Sequence, residues 1–142
     1  MRDLASNLKV VQAIGPIALA ADSTLLPIDL LGYNSAMFAI GVGIGGITFT
    51  GTNKIEFVMT HSDDGTTFVP VTDDDIQGAS GTTNGIVKSL ITAHAAADVS
   101  KVGYVGGKRW VQLLAYFSGT HGTGTPISVV AVLGSPSVAP VA

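Results

Sequence analysis

The stretch KIEFVMTHSDDGTTFVPV, Lys54 to Val71, decides the fold. Ile55, Phe57 and Met59 fall on one face of an extended chain, and Glu56, Val58 and Thr60 on the other, because side chains alternate along a strand. Ser62-Asp63-Asp64-Gly65 follows directly after His61. Asp-Gly supplies the positive φ angles that tight hairpin turns need. The sequence therefore predicts a strand over Lys54–His61, a turn at Asp63, Asp64 and Gly65, and a returning strand over Thr66–Val71.

The same pattern recurs outward in both directions. The chain has 18 glycines and 6 prolines among 142 residues, so few uninterrupted windows are long. Between these breakers lie apolar, β-prone segments: Leu8–Ile14, Thr24–Leu31, Ser35–Val42, Gly85–Leu90, Lys101–Val105, Lys108–Phe117 and Pro126–Leu133. Pro27 places the second of these at a sheet edge or bulge, since proline cannot donate to a ladder. Thr92–Asp98 (TAHAAAD) is the one stretch of good helix formers and reads as a short helical turn. The expectation is one all-β domain over 1–142, an antiparallel sandwich or barrel of about eight to ten strands. An extended N-terminal segment over about 1–23 and a proline-containing C-terminal arm over about 134–142 flank it.

Composition narrows the function. Hydrophobic residues make up 46% of the chain and charged residues only 12%. A typical soluble domain carries about 25% charged residues. Neutral Gly, Ser and Thr cover part of the surface, and burial against other protein chains accounts for the rest. Val111, Leu113, Ala115 and Phe117 share one face of a strand whose other face carries Trp110, Leu114 and Tyr116, so this strand is central or meets a partner. The net charge of −3 leaves no basic field for nucleic acid. There is no cysteine, which removes thiol catalysis and Cys-based zinc sites. Val10–Ala21 has the look of a signal sequence, but Gln12, Gly15-Pro16 and Asp3 break that pattern. No run reaches the roughly 18–20 apolar residues of a membrane-spanning helix.

The motifs that suggest chemistry each have a plainer reading. Gly41–Gly46 (GVGIGG) matches G-x-G-x-x-G, but β-prone residues follow it where a dinucleotide site needs a helix, so it reads as a loop. Asp63, Asp64, Asp73, Asp74 and Asp75 lack the alternating spacing of a calcium loop and read as solvated turns. Whether Asp63 meets Asp74 across a hairpin is open at this level. His61, His94 and His121 show no metal-ligand spacing. Ser62 lies between His61 and Asp63, and neighbours on a strand point apart, so they form no relay. The chain is expected not to be an enzyme and to need no cofactor or metal. Lys108, Arg109 and Trp110 form the one basic pair beside an aromatic ring. They read as part of a protein–protein interface, where an arginine can grip a carboxylate with both arms.

The order of these pieces resembles a known layout. HSDDGTTF (61–68), VGYVGGKRWVQLL (102–114) and ISVVAVLGSPSVAPV (127–141) follow one another as an S-D-D-G turn, a G-Y-x-G-x-K-R-aromatic strand, and a strand ending in L-G with a proline-bearing tail. This is similar to the capsid cement, or decoration, proteins of tailed bacteriophages, over roughly the C-terminal two-thirds of the chain.

The resemblance implies a jelly-roll-like sandwich on the outer surface of a virion, made in the host cytoplasm. It would act as a dimer or trimer that braces the major capsid protein, with no nucleic-acid or membrane partner. It implies structural roles for Asp63, Asp64 and Gly65 in the turn. Lys108, Arg109, Trp110, Pro136 and Pro140 are the interface candidates. The N-terminal third carries no matching motif. Two other readings stand beside it: another phage component (tail-tube, head-completion or spike-base protein), and a carbohydrate-binding sandwich, which would need an exposed aromatic platform.

Overall fold

The computed structural model describes residues 3–139. Its centre is the strand that the alternation picked out. In β4 (Lys54–Ser62), Ile55, Phe57 and Met59 are fully buried, while Glu56, Val58 and Thr60 lie half-buried on the outer side. Nine further strands surround it: β1 (Lys9–Leu19), β2 (Ile28–Asp29), β3 (Tyr33–Val42), β5 (Val69–Pro70), β6 (Ile76–Gln77), β7 (Ile86–Leu90), β8 (Asp98–Tyr104), β9 (Trp110–Ser118) and β10 (Thr125–Pro136). Two single-turn 3-10 helices, η1 (Ala5–Asn7) and η2 (Asp73–Asp75), complete the described chain.

The strands form two antiparallel sheets. One runs β1-β10-β3-β8-β6; the other runs β2-β9-β4-β5, with β7 also pairing β4. With the two-residue adjuncts β5 and β6 set aside, the pairs are nested: β1 with β10, β2 with β9, β3 with β8, and β4 with β7. A chain that pairs this way is one long hairpin rolled up, with cross-links β10–β3 and β9–β4 closing each sheet. That is the strand order of a jelly roll. Phe38, Ile40, Val129 and Ala131 from the first sheet meet Phe57, Met59, Val111 and Leu113 from the second, and all are at most 1% exposed.

Four local expectations give way. Thr92–Ala97 is not helical, and Asp98 already belongs to β8. A run this short has little to offset helix nucleation without an apolar face to bury. The returning strand over Thr66–Val71 shrinks to Val69–Pro70, because the Thr66 and Thr67 amides are taken by the Asp64 carboxylate. The N-terminal segment extends past Gly15-Pro16 as an eleven-residue edge strand, its ladder interrupted between Gln12 and Ile17. Gly134–Pro136 continues β10 against Ser35 and Tyr33 and is not a free arm. Pro27 does precede an edge strand, β2.

The nesting sorts the connections. The β2–β3, β4–β7 and β8–β9 connections share one end of the sandwich with the starts of β1 and the finish of β10. The other connections, including Gly43–Gly46, lie at the far end. There the glycines serve packing: a Cβ on Gly45 would stand 2.9 Å from the Phe49 ring. Phe57→Ala, at the centre of the core, is expected to cost about 3–5 kcal/mol, read as a lower urea midpoint with an unchanged slope.

Candidate functional site

The first end of the sandwich gathers the residues that the sequence singled out. Strand register places Asp29, Trp110 and Ser62 side by side on β2, β9 and β4. Ser62 is fully buried; its Oγ donates to Asp64 Oδ1 at 2.7 Å and accepts from the Gly65 amide at 3.1 Å. Asp64 also accepts the Thr67 and Thr66 amides at 2.7 and 2.8 Å. These amides, with the Ser62 hydroxyl, hold its carboxyl far below the usual carboxylate range. The Asp-Gly pair thus builds a side-chain-stapled loop and not a two-residue hairpin turn. Gly65 adopts φ +73°, and a Cβ there would sit 3.0 Å from the indole of Trp110. The loop lies directly against that ring.

The basic pair is held in the same place. Lys108 Nζ donates to Asp63 Oδ2 at 2.7 Å. Arg109 grips Asp29 with both arms, Nε to Oδ1 at 2.8 Å and Nη2 to Oδ2 at 2.6 Å. That hydrogen bond lowers the Asp29 pKa and raises that of Arg109. The guanidinium carbon stands 5.2 Å from the centre of the Trp110 ring, close enough for a cation–π contact. The bidentate grip expected toward a partner's carboxylate is therefore already made inside the chain. Asp63 is committed to Lys108 rather than to Asp74. Among the described residues no three His, Asp or Glu cluster to hold a metal ion.

Behind this rim lies a polar latch. Tyr104 accepts the Lys108 amide at 3.1 Å, and its oxygen is 3.0 Å from His61 Nδ1. Asp75 Oδ1 stands 4.0 Å from the same nitrogen, while the Asp75 carbonyl accepts the amides of Val105 and Gly106 at 2.8 and 3.2 Å. With the proton of a neutral His61 on Nε2, the tyrosine hydroxyl donates to Nδ1; with it on Nδ1, the ring donates to the tyrosine oxygen and the hydroxyl turns to the Lys108 carbonyl at 3.4 Å. Burial lowers the His61 pKa; Asp75 and Asp63 oppose that shift and Lys108 reinforces it. His61 thus faces Tyr104, not Ser62. Gly106 is required here, because a Cβ would meet the Tyr104 hydroxyl at 2.6 Å.

Between the β2–β3 turn and the β8–β9 loop opens a cleft of about 400 Å³, walled by Leu30, Leu31, Tyr33, Val105 and Gly106 and closed at one side by Lys108 and Arg109. Pro136 flanks it through its pairing with Tyr33. Pro140 lies outside the described residues. The cleft has apolar walls and a paired-ion border, which suits seating a side chain or an extended segment of another protein. Sequence reasoning missed Asp29 and the Tyr104–His61 contact, and it read Asp75 only as part of a solvated acidic turn. The one trace of them was Tyr104 followed so closely by Gly106-Gly107, a spacing that lets backbone cross over a ring. No protein-family model matches the sequence, and no curated protein matches it as a relative. No helix among the described residues is long and apolar enough to cross a membrane.

Two outcomes are expected. Gly65→Ala should cost about 1–2 kcal/mol, because a side chain there must adopt the left-handed region while pressing on Trp110; thermal or urea unfolding reads it. His61 is favoured neutral in the fold, so the unfolded chain takes up its proton first as pH falls. Stability should drop as pH is lowered through the ordinary histidine range near about 6.5 and level off below the depressed folded value. The unfolding midpoint of His61→Gln should depend less on pH between about 7.5 and 5. An equal slope in both proteins would contradict the latch.

Proposed function

We propose that this chain is a virion structural protein, a decoration protein that seats on the outer surface of an assembled phage capsid and braces neighbouring major capsid subunits. One observation carries the reading. Two of the three segments that carry the resemblance, S-D-D-G and G-Y-x-G-x-K-R-W, lock together into one rim through Asp63–Lys108 and Gly65–Trp110. A rim ordered before docking loses little further freedom when it binds. Jelly rolls serve both viral capsids and lectins, and a fold does not select a function on its own. Trp110 favours the first use, since Gly65 and Arg109 already pack against the ring that a sugar platform would have to offer. Tyr116 lies six positions further along β9, about 20 Å away, too far to share such a platform.

The test is sedimentation of particles from the phage that encodes the chain, with the protein followed beside the major capsid protein. Co-migration at a simple ratio to capsid subunits is the expected result. A protein that stays at the top of the gradient would remove the capsid reading, and a single ring's worth of copies would favour a head-completion role. Lys108→Glu with Arg109→Glu is expected to lower the number of bound copies without unfolding the domain, as checked by circular dichroism.

A further inference from the structure

The outer face of the first sheet carries an exposed apolar side chain on one side of its midline and an apolar groove on the other. Across β1, β10, β3 and β8, one row is Val10, Val132, Met37, Gly103. The next is Gln12, Val130, Ala39, Lys101, and a third over three strands is Ser128, Gly41, Val99. All of these point away from the core, because Ala131, Phe38, Ile40 and Val102, which alternate with them, are buried. Lys101 is the only charged side chain in the three rows. Val10 is 66% exposed at one end of its row, and Gly103 leaves a gap three strands away, before Gln77 of β6 ends the row. That gap opens into an apolar groove of about 490 Å³ bordered by Met37, Gln77, Lys101, Val132 and Gly134.

The geometry points to a second copy of this chain as the occupant of this face, docked about a two-fold axis that runs along the strands between β10 and β3. That rotation exchanges β1 with β8 and β10 with β3. It sets Val10 over the partner's Gly103, Val132 against the partner's Met37, and Val130 against the partner's Ala39. Lys101 meets the amide oxygen of the partner's Gln12, so its charge gains an acceptor without needing a carboxylate. An isologous interface demands this kind of self-complementary patch. Two sheets of equal twist pack face to face with their strands nearly aligned. Four strands about 4.8 Å apart and about seven residues long cover roughly 450 Å² per copy. A standard interface takes about 800 Å² per partner, so the pair forms reversibly and dissociates on dilution. This contact names a face for self-association and stands apart from particle binding. A chain that pairs but ignores capsids would sink only the capsid reading, and one that decorates capsids as a monomer would sink only this one.

Cysteine cross-linking tests the register. The chain has no cysteine of its own. Val10→Cys and Gly103→Cys in one chain lie three strands apart, roughly 14 Å, beyond the ~7 Å limit between Cα atoms for a disulfide. Gly103 has room for the change, since its nearest neighbour to a Cβ would be Gln77 at 3.4 Å. Mild oxidation of the double variant is expected to give a covalent dimer on a non-reducing gel, and either single variant to stay monomeric. Sedimentation of the unmodified protein should show a dimer that grows with concentration, and Val132→Glu should remove it with the unfolding midpoint unchanged. A protein that stays monomeric at every concentration, a Val132→Glu protein that still dimerises, or a single-cysteine variant that cross-links as well as the pair would each overturn the proposal.

Discussion

Everything in this molecule hangs on the pairing of the first strand with the last. β1 meets only β10, from Lys9 opposite Leu133 to Leu19 opposite Thr125. That ladder fixes which way the inward face of β10 points, and so which residues of β3 and β8 follow it into the core. Because side chains alternate, a one-residue slip along β10 would turn Val129, Ala131 and Leu133 outward together. The register interruption between Gln12 and Ile17 absorbs Gly15-Pro16 without passing the slip on. It also leaves a proline on the exposed rim of the sheet, where an unpaired edge would otherwise invite further strands.

The alternation in β4 was plain in the sequence because both of its faces are used consistently: Ile55, Phe57 and Met59 inward, and Glu56 and Thr60 outward. β9 was less plain, since Leu114 and Tyr116 put apolar groups on its outer face as well. The partner of each strand was not legible, since nested pairing joins residues as far apart as Lys9 and Leu133 and leaves no local trace. A loop stands at Asp63–Gly65, but its internal chemistry was not legible. Asp-Gly is compatible with several turns, and the choice was made by hydrogen bonds to Ser62, Thr66 and Thr67. The alanines near His94 suggested helix through propensity alone, which a short run between strands does not obey.

The candidate site shows the same division. Lys108, Arg109 and Trp110 stood out as a triplet, while the residues that hold them, Asp63 and Asp29, lie 45 and 80 positions away. A lone aspartate between apolar neighbours, as in Ile28-Asp29-Leu30, gives no sign of its role until the fold supplies an arginine. Once paired, these charges stop being a field that attracts any ion and become a fixed pattern of hydrogen-bonded shapes. Low net charge at the rim and a nearly uncharged sheet face therefore have one origin in the composition, where charge is scarce and mostly spent within the chain.

The nested order also governs how the protein comes into being. On a ribosome β1 emerges first and has no neighbour to bind until β10, the last strand, is free. After the two-residue contact of β5 on β4, the earliest closure open to the chain is β4 with β7, and each further nested pair must bridge a longer loop. A domain built this way cannot lock in stages from its N-terminus. It stays open until β10 has left the ribosome and then closes outward from its middle, which makes Thr125–Pro136 the segment that commits the fold.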